Sequence, residues 1–274
     1  MKKIFKFIPI YFIYIWLIFF AIFPLSLMFI ISFFTKNSIN LFSLPLTFNN
    51  YKELFLPIFA KIFFKSLFIA LLTTILCLTI AYPFSYILVK SKYQSLLLIF
   101  IIIPFWTNSL IRTYSLIAIF KCKGIINNVL FYLHIIKTPL HILYSNYAVL
   151  IGLVYNLLPF MVLPLFTNMK HFNFELIDAA KDLGANKWVV FYYIFLPNTI
   201  PGIISGCLLV FLPSMTLFYI PNILGGAKSM LLGNFIQNQF LSLENWPKGS
   251  ATNIILSIFS IIIFIFYHYK NNKK

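Results

Sequence analysis

The chain has 274 residues, 61% of them hydrophobic and 9% charged, and a mean hydropathy of +0.94. No water-soluble domain buries that much apolar surface in one core, so the composition places the chain in a membrane. The formal charge of +16, from 21 Lys+Arg against 5 Asp+Glu, would point a soluble domain toward nucleic acid. Here the basic residues are dispersed along loops with no recognition motif, and no nucleic-acid partner is expected.

A spanning helix needs roughly 20 apolar residues. Acid-free apolar runs of that length lie near 11–34, 66–89, 96–120, 147–167, 200–220 and 252–269, predicting a single all-α domain of six transmembrane helices over 1–274 with both termini on one side. The runs are apolar on every face, unlike the alternating strands of a barrel. The first follows Lys2, Lys3 and Lys6 and is too long for a signal-peptide core, which reads as an uncleaved signal anchor. The stretch 35–65 then reads as an external loop, and 90–95 is short enough that the flanking helices are antiparallel neighbours. The stretch 121–146 reads as a second external loop.

Prolines inside the runs, Pro24, Pro83, Pro104, Pro159, Pro164 and Pro213, invite kinks, which suit a moving transporter and an ordinary membrane helix equally. Cys77, Cys122 and Cys207 lack C-x-x-C spacing and read as packing residues, and His134, His141, His171 and His268 lack ligand spacing, so no metal site is expected. With the N-terminus inside, eleven of the 21 basic residues fall in the shorter internal segments. That density favours both termini in the cytoplasm, weakly on charge alone.

The internal segment 170–197 holds three of the five acids, Glu175, Asp178 and Asp182. Asn173 can cap a helix with acids in its first turns, Ala179 and Ala180 leave one side of it flat, and Gly184 ends it. Trp188, Val189, Phe191, Tyr192, Ile194 and Phe195 then form a bulky stretch suited to the membrane interface. These features fit a docking helix and an ordinary interfacial hairpin about equally.

The spacing within the segment is more specific. Asp178-Ala179-Ala180-Lys-Asp-Leu-Gly184, nine residues, then Ile194-Phe-Leu196-Pro197 resembles the cytoplasmic "EAA" loop of binding-protein-dependent ABC importer permeases. The heading glutamate of that motif is Asp178 here, one methylene shorter at equal charge. Pro104–Tyr114, Pro201–Val210, Leu217–Tyr219, Gly225–Lys228, Leu231–Asn234 and Asn245–Pro247 are similar to the spermidine/putrescine branch of the family.

The resemblance implies a six-helix permease fold of the MetI-like type with cytoplasmic coupling helices, in a bacterial inner membrane. It implies ATPase coupling through Glu175, Asp178, Ala179, Ala180, Gly184, Ile194, Leu196 and Pro197. The implied partners are ABC ATPase subunits, a second (PotC-like) permease subunit and a periplasmic polyamine-binding protein. The chain has no G-x-x-x-x-G-K-[ST] motif, since Gly225-Gly-Ala-Lys228-Ser229 lacks the upstream glycine. No catalytic residue and no bound cofactor is therefore expected, and ATP falls to the partner.

A polyamine path needs carboxylates, carbonyls or aromatic faces, and the candidates are Trp106, Asn108, Tyr114 and Tyr219. The family pattern places acids at the positions of Asn222 and Asn245, so this subunit is not expected to dominate cation binding. Glu244 and Trp246 are candidates for binding-protein contact. Arg112, the sole arginine, is expected to be structural. Importers of amino acids, thiamine or ferric ion would share the coupling loop, and a membrane-bound enzyme is disfavoured by the lack of clustered acids and histidines.

Overall fold

The structure, a computed structural model, describes residues 11–37, 42–226 and 229–271. Lys2, Lys3, Lys6, Lys273 and Lys274 of the orientation argument, and Ala227 and Lys228 of the resemblance, lie outside the described residues. The helices are α1 (Tyr11–Ile31), α2 (Asn49–Leu54), α3 (Pro57–Lys90), α4 (Gln94–Trp106), α5 (Ser109–Phe120), α6 (Ile125–Tyr132), α7 (Asn146–Lys170), α8 (Glu175–Asp182), α9 (Lys187–Thr216), α10 (Leu232–Leu241) and α11 (Trp246–Asn271). Turns of π-helix interrupt α1 at Ile18–Ile22 and α9 at Phe191–Phe195, and a third, Pro221–Gly225, follows α9. Among the described residues, six apolar helical stretches are long enough to cross a membrane: α1, α3, α5 with α6, α7, α9 and α11.

The run 96–120 is not the single helix that hydropathy predicts. It breaks at Thr107 and Asn108, whose backbones are extended. The Thr107 hydroxyl donates to the Pro104 carbonyl (2.6 Å), and Asn108 Oδ1 accepts the Leu110 amide (2.8 Å). Short polar side chains offer the backbone local partners and so compete with helix continuation, and Thr-Asn-Ser does so here. The fifth helix differs in the other direction. It starts at Lys187, not near Ile200, because nothing from Trp188 to Phe195 breaks a helix, and the π-turn at Phe191–Phe195 accommodates Pro197. It ends at Thr216, where Leu217 turns extended.

The described residues form two compact units, one drawn from 1–61 and 235–274, the other from 62–234. In the first, α11 packs against the second half of α1 and against α2. Asn50 Nδ2 donates to the carbonyls of Ser32 (2.9 Å) and Phe34 (2.8 Å), closing the end of α1. Glu53 pairs with Lys248 at 2.7 Å.

The second unit is built around α7. Val149, Leu153, Leu157, Met161, Leu165 and Met169 are buried, and so are Ala148, Gly152, Asn156, Val162 and Phe166 on adjoining faces. A helix buried on most sides is a core element. Its main neighbour is α9, which approaches closely through glycine: a Cβ on Gly206 would sit 2.6 Å from Met161 Sδ and 3.3 Å from the Met161 carbonyl oxygen. Small residues at such contacts are how membrane helices gain van der Waals packing. On another side, Ser85 of α3 donates to the Val162 carbonyl (3.4 Å).

Beyond the end of α9, Asn234 holds the chain. Its Nδ2 donates to the Phe218 carbonyl (2.9 Å) and to Asn222 Oδ1, and its Oδ1 accepts the Leu231 amide (3.3 Å). Asn234→Leu keeps the size and strips these bonds, leaving the buried Leu231 amide unpaired at a cost of about 1–3 kcal/mol. The expected result is a thermal midpoint in detergent lower by several degrees, while Leu209→Ala, on an outward-facing position, leaves the midpoint close to wild type.

Candidate functional site

The segment after α7 folds into two short helical pieces joined by a tight turn. Asn173 Oδ1 accepts the Glu175 amide (3.0 Å) and opens α8, which places Glu175 and Asp178 in its first turn, where the positive helix end favours acids. Lys181 Nζ donates to Asp178 Oδ1 at 2.9 Å. That bond and the charge of Lys181 hold the Asp178 carboxyl below its ordinary range. Ile177 is the buried residue of the helix. Ala179 is exposed, while Ala180 packs toward the core, so the flat outer surface expected of the two alanines is offered by Ala179 alone.

Gly184 ends α8 at φ +85. The Gly184 amide donates to the Lys181 carbonyl (2.8 Å) and the Ala185 amide to the Ala180 carbonyl (3.0 Å), the paired bonds of a Schellman cap that requires a left-handed residue at this place. Asn186 then caps the next helix, its Oδ1 accepting the Val189 amide (2.9 Å). The bulky stretch from Trp188 is the first turns of α9, not a separate interfacial piece. Ile194 and Leu196 are half-buried within it and Pro197 is exposed.

Aromatic side chains fasten this turn to the long helices. Phe195 is buried and meets Phe172 (5.3 Å, 89°), Tyr86 (5.2 Å, 79°) and Tyr82 (6.2 Å, 75°) edge to face, a favoured ring geometry. The Tyr82 and Thr199 hydroxyls are bonded at 3.0 Å, tying α3 to α9. Outward, Leu183 is 90% exposed and Trp188, stacked on Tyr192 (6.3 Å, 22°), is 71% exposed.

A cavity of about 620 Å³ opens at the break between α4 and α5. Of the four path candidates, Trp106, Asn108 and Tyr219 line it and Tyr114 does not. The cavity adds Phe105, Arg112, Asn156 and Phe160. Asn156 and the sole arginine, Arg112, were legible as polar residues inside apolar runs, whereas Phe105 and Phe160 were hidden because aromatic residues abound throughout. Arg112 is buried, its guanidinium 4.6 Å from the Phe105 ring centroid.

Of the remaining candidates, Glu244 is exposed and Trp246 packs edge to face on Phe240 (5.4 Å), which leaves Glu244 as the more outward group. Cys122 Sγ lies 3.2 Å from His141 Nδ1, and no group of three metal-ligating side chains occurs among the described residues.

Comparison with known proteins places this geometry. Residues 78–273 match the family model for the binding-protein-dependent transport system inner membrane component. The chain is 45% identical to the spermidine/putrescine transport system permease protein PotB of Haemophilus influenzae, over 98% of this chain and 94% of that one. It is 44% identical to the protein of the same name from Escherichia coli, over 92% of each. Among solved structures, a bacterial ABC transporter involved in the import of the acidic polysaccharide alginate superposes with a TM-score of 0.78 at 15% identity, covering 99% of this chain and 98% of that one. The alginate transporter in complex with its alginate pentasaccharide-bound periplasmic protein superposes at 0.76 and 15% identity, covering 97% and 94%. The likeness to these structures is one of fold. A six-helix chain with this match over most of its length is a multi-pass inner-membrane protein, and it belongs to the binding-protein-dependent transport system inner membrane component family of ABC importer permeases.

Proposed function

We propose that the chain is one permease subunit of an ATP-driven importer that carries polyamines, spermidine or putrescine, from periplasm to cytoplasm. The observation that carries the coupling is the loop itself: an acid-bearing helix, a Schellman turn at Gly184 and a second helix that continues unbroken into α9. The polyamine cargo rests on the 45% identity to a spermidine/putrescine permease. The loop docks on an ABC ATPase in the cytoplasm, which puts both termini inside. A second, PotC-like permease completes the path, and a periplasmic polyamine-binding protein delivers the substrate.

The mechanics follow from continuity. At about 1.5 Å per residue, the 30 residues of α9 form a lever rooted in the loop and packed along α7. The aromatic fastening of Phe195 to α3 makes the loop and the helices move as one body. ATP-driven approach of two ATPase subunits would therefore displace α9 and not merely bend the loop. Trp106 and Tyr219 offer ring faces to a passing ammonium, and Asn108 offers an amide.

The turn is the first test. A β-branched residue at positive φ is strained, whereas Asn tolerates the left-handed region. Gly184→Val is expected to insert normally yet lose substrate-stimulated ATPase activity and uptake, while Gly184→Asn retains most of both. Normal uptake by the valine variant in vesicles would refute the docking role. The Asp178–Lys181 pair gives a pH expectation. Because the Asp178 carboxyl is held low, the pair persists at and above the ordinary carboxylate range and opens only as pH falls below it. Coupled ATPase activity is thus expected to be flat from neutral to mildly acidic pH as far as this pair is concerned, and Asp178→Glu should preserve it.

For the cargo, the reconstituted transporter with its binding protein is expected to hydrolyse ATP faster with spermidine or putrescine, each competing with the other. Stimulation instead by an amino acid, thiamine or ferric ion would replace the polyamine reading and leave the importer reading intact.

A further inference from the structure

Arg112 is the only arginine in the chain and is 9% exposed. A guanidinium stays charged at any accessible pH, and a buried charge within a membrane-spanning region persists only when something compensates it. What surrounds Arg112 compensates it in part: the Phe105 ring at 4.6 Å and the Tyr155 ring at 5.9 Å. Its Nε has no hydrogen-bond partner. Asn156, lining the same cavity and 3% exposed, donates to the carbonyl of Gly152 (2.9 Å) and to Thr113 Oγ1 (3.5 Å), and its Oδ1 is also without a partner. A donor and an acceptor, on side chains more than nine-tenths buried, are left without a partner in the wall of one cavity.

The chain cannot supply the missing anion. Its five acids are Glu53, bonded to Lys248, Glu175, Asp178 and Asp182 on the loop helix, and Glu244, and none lines the cavity. The proposed substrate, a cation, cannot supply it either. The cavity opens beside Trp106, which is 84% exposed, and its lining joins aromatic rings to the polar Thr107, Asn108 and Ser109. A buried cation that this chain leaves uncompensated is matched by a partner that carries the opposite charge.

We propose that this cavity is a socket for an acidic side chain of the second permease subunit. Its carboxylate pairs with the guanidinium of Arg112, which lines the cavity. The inference rests on the heterodimeric importer reading above and adds to it the place and chemistry of one contact. Arg112 is then an assembly residue, not a residue of the substrate path.

The test uses the whole transporter, purified through the second permease after Arg112→Lys, Arg112→Met and Arg112→Glu. Lysine is expected to keep this subunit in the complex at close to the wild-type amount. Methionine should reduce it by at least about tenfold, because removing one member of a buried ion pair is strongly destabilising. Glutamate should reduce it further and be rescued when one membrane-embedded acid of the second permease, tested acid by acid, is replaced by lysine. Helical content and monodispersity of each variant expressed alone separate lost assembly from lost folding. Methionine and wild type co-purifying equally, or no acid rescuing the glutamate variant, would overturn the socket. Failure of the wild-type chain to co-purify with any second permease would instead overturn the importer reading on which it stands.

Discussion

Backbone groups that cannot reach water must be bonded inside the protein, and that requirement governs where the helices of this chain stop. Several interruptions away from the chain ends are closed by a side chain that imitates the backbone, most often asparagine. Asn50 closes the end of α1. Asn108 opens α5. Asn127, fully buried, bonds to the Lys121 and Leu140 carbonyls (3.2 and 3.0 Å) and accepts the Leu140 amide (2.8 Å), fixing the segment after α6. Asn234 bridges the end of α9 and the start of α10. An asparagine carries one acceptor and two donors on a short arm, so it can replace both halves of a missing peptide partner.

The same constraint explains the loop. A helix must stop and reverse at Gly184, and it does so with the Schellman bonds satisfied and the next helix capped by Asn186, so no strand of loose chain separates the docking face from α9. Phe195 then locks the junction to Phe172, Tyr82 and Tyr86. The result is a stiff connection from an exposed acidic helix to the helix most closely packed on the core axis α7. Stiffness matters because a compliant linker would absorb the displacement it has to pass on.

Charge is distributed to match. The acids stay out of the membrane-spanning runs, three of them on the loop, and the one arginine is buried in the cavity wall among aromatic rings. The cavity is thus chemically half a site, with ring faces, an amide and a cation but no carboxylate. The unpaired Arg112 Nε and Asn156 Oδ1 lie in the wall of that cavity.

The sequence by itself determined the membrane class, the number of long apolar runs, the family and the position of the loop, because hydropathy and motif spacing are local properties that survive without coordinates. It also contained the break at Thr107–Asn108, within the three short polar residues Thr107, Asn108 and Ser109 of an apolar run, although hydropathy averaging conceals such a signal. Only the tertiary structure decided that Trp188 to Phe195 begins α9, that Ala180 faces inward while Ala179 faces out, and that Trp106, Asn108, Arg112, Asn156 and Tyr219 share one cavity while Tyr114 does not. Those outcomes depend on which face of each helix meets α7 or α3. In a chain that is apolar on nearly every face, periodicity carries almost no information about direction, and packing alone chooses.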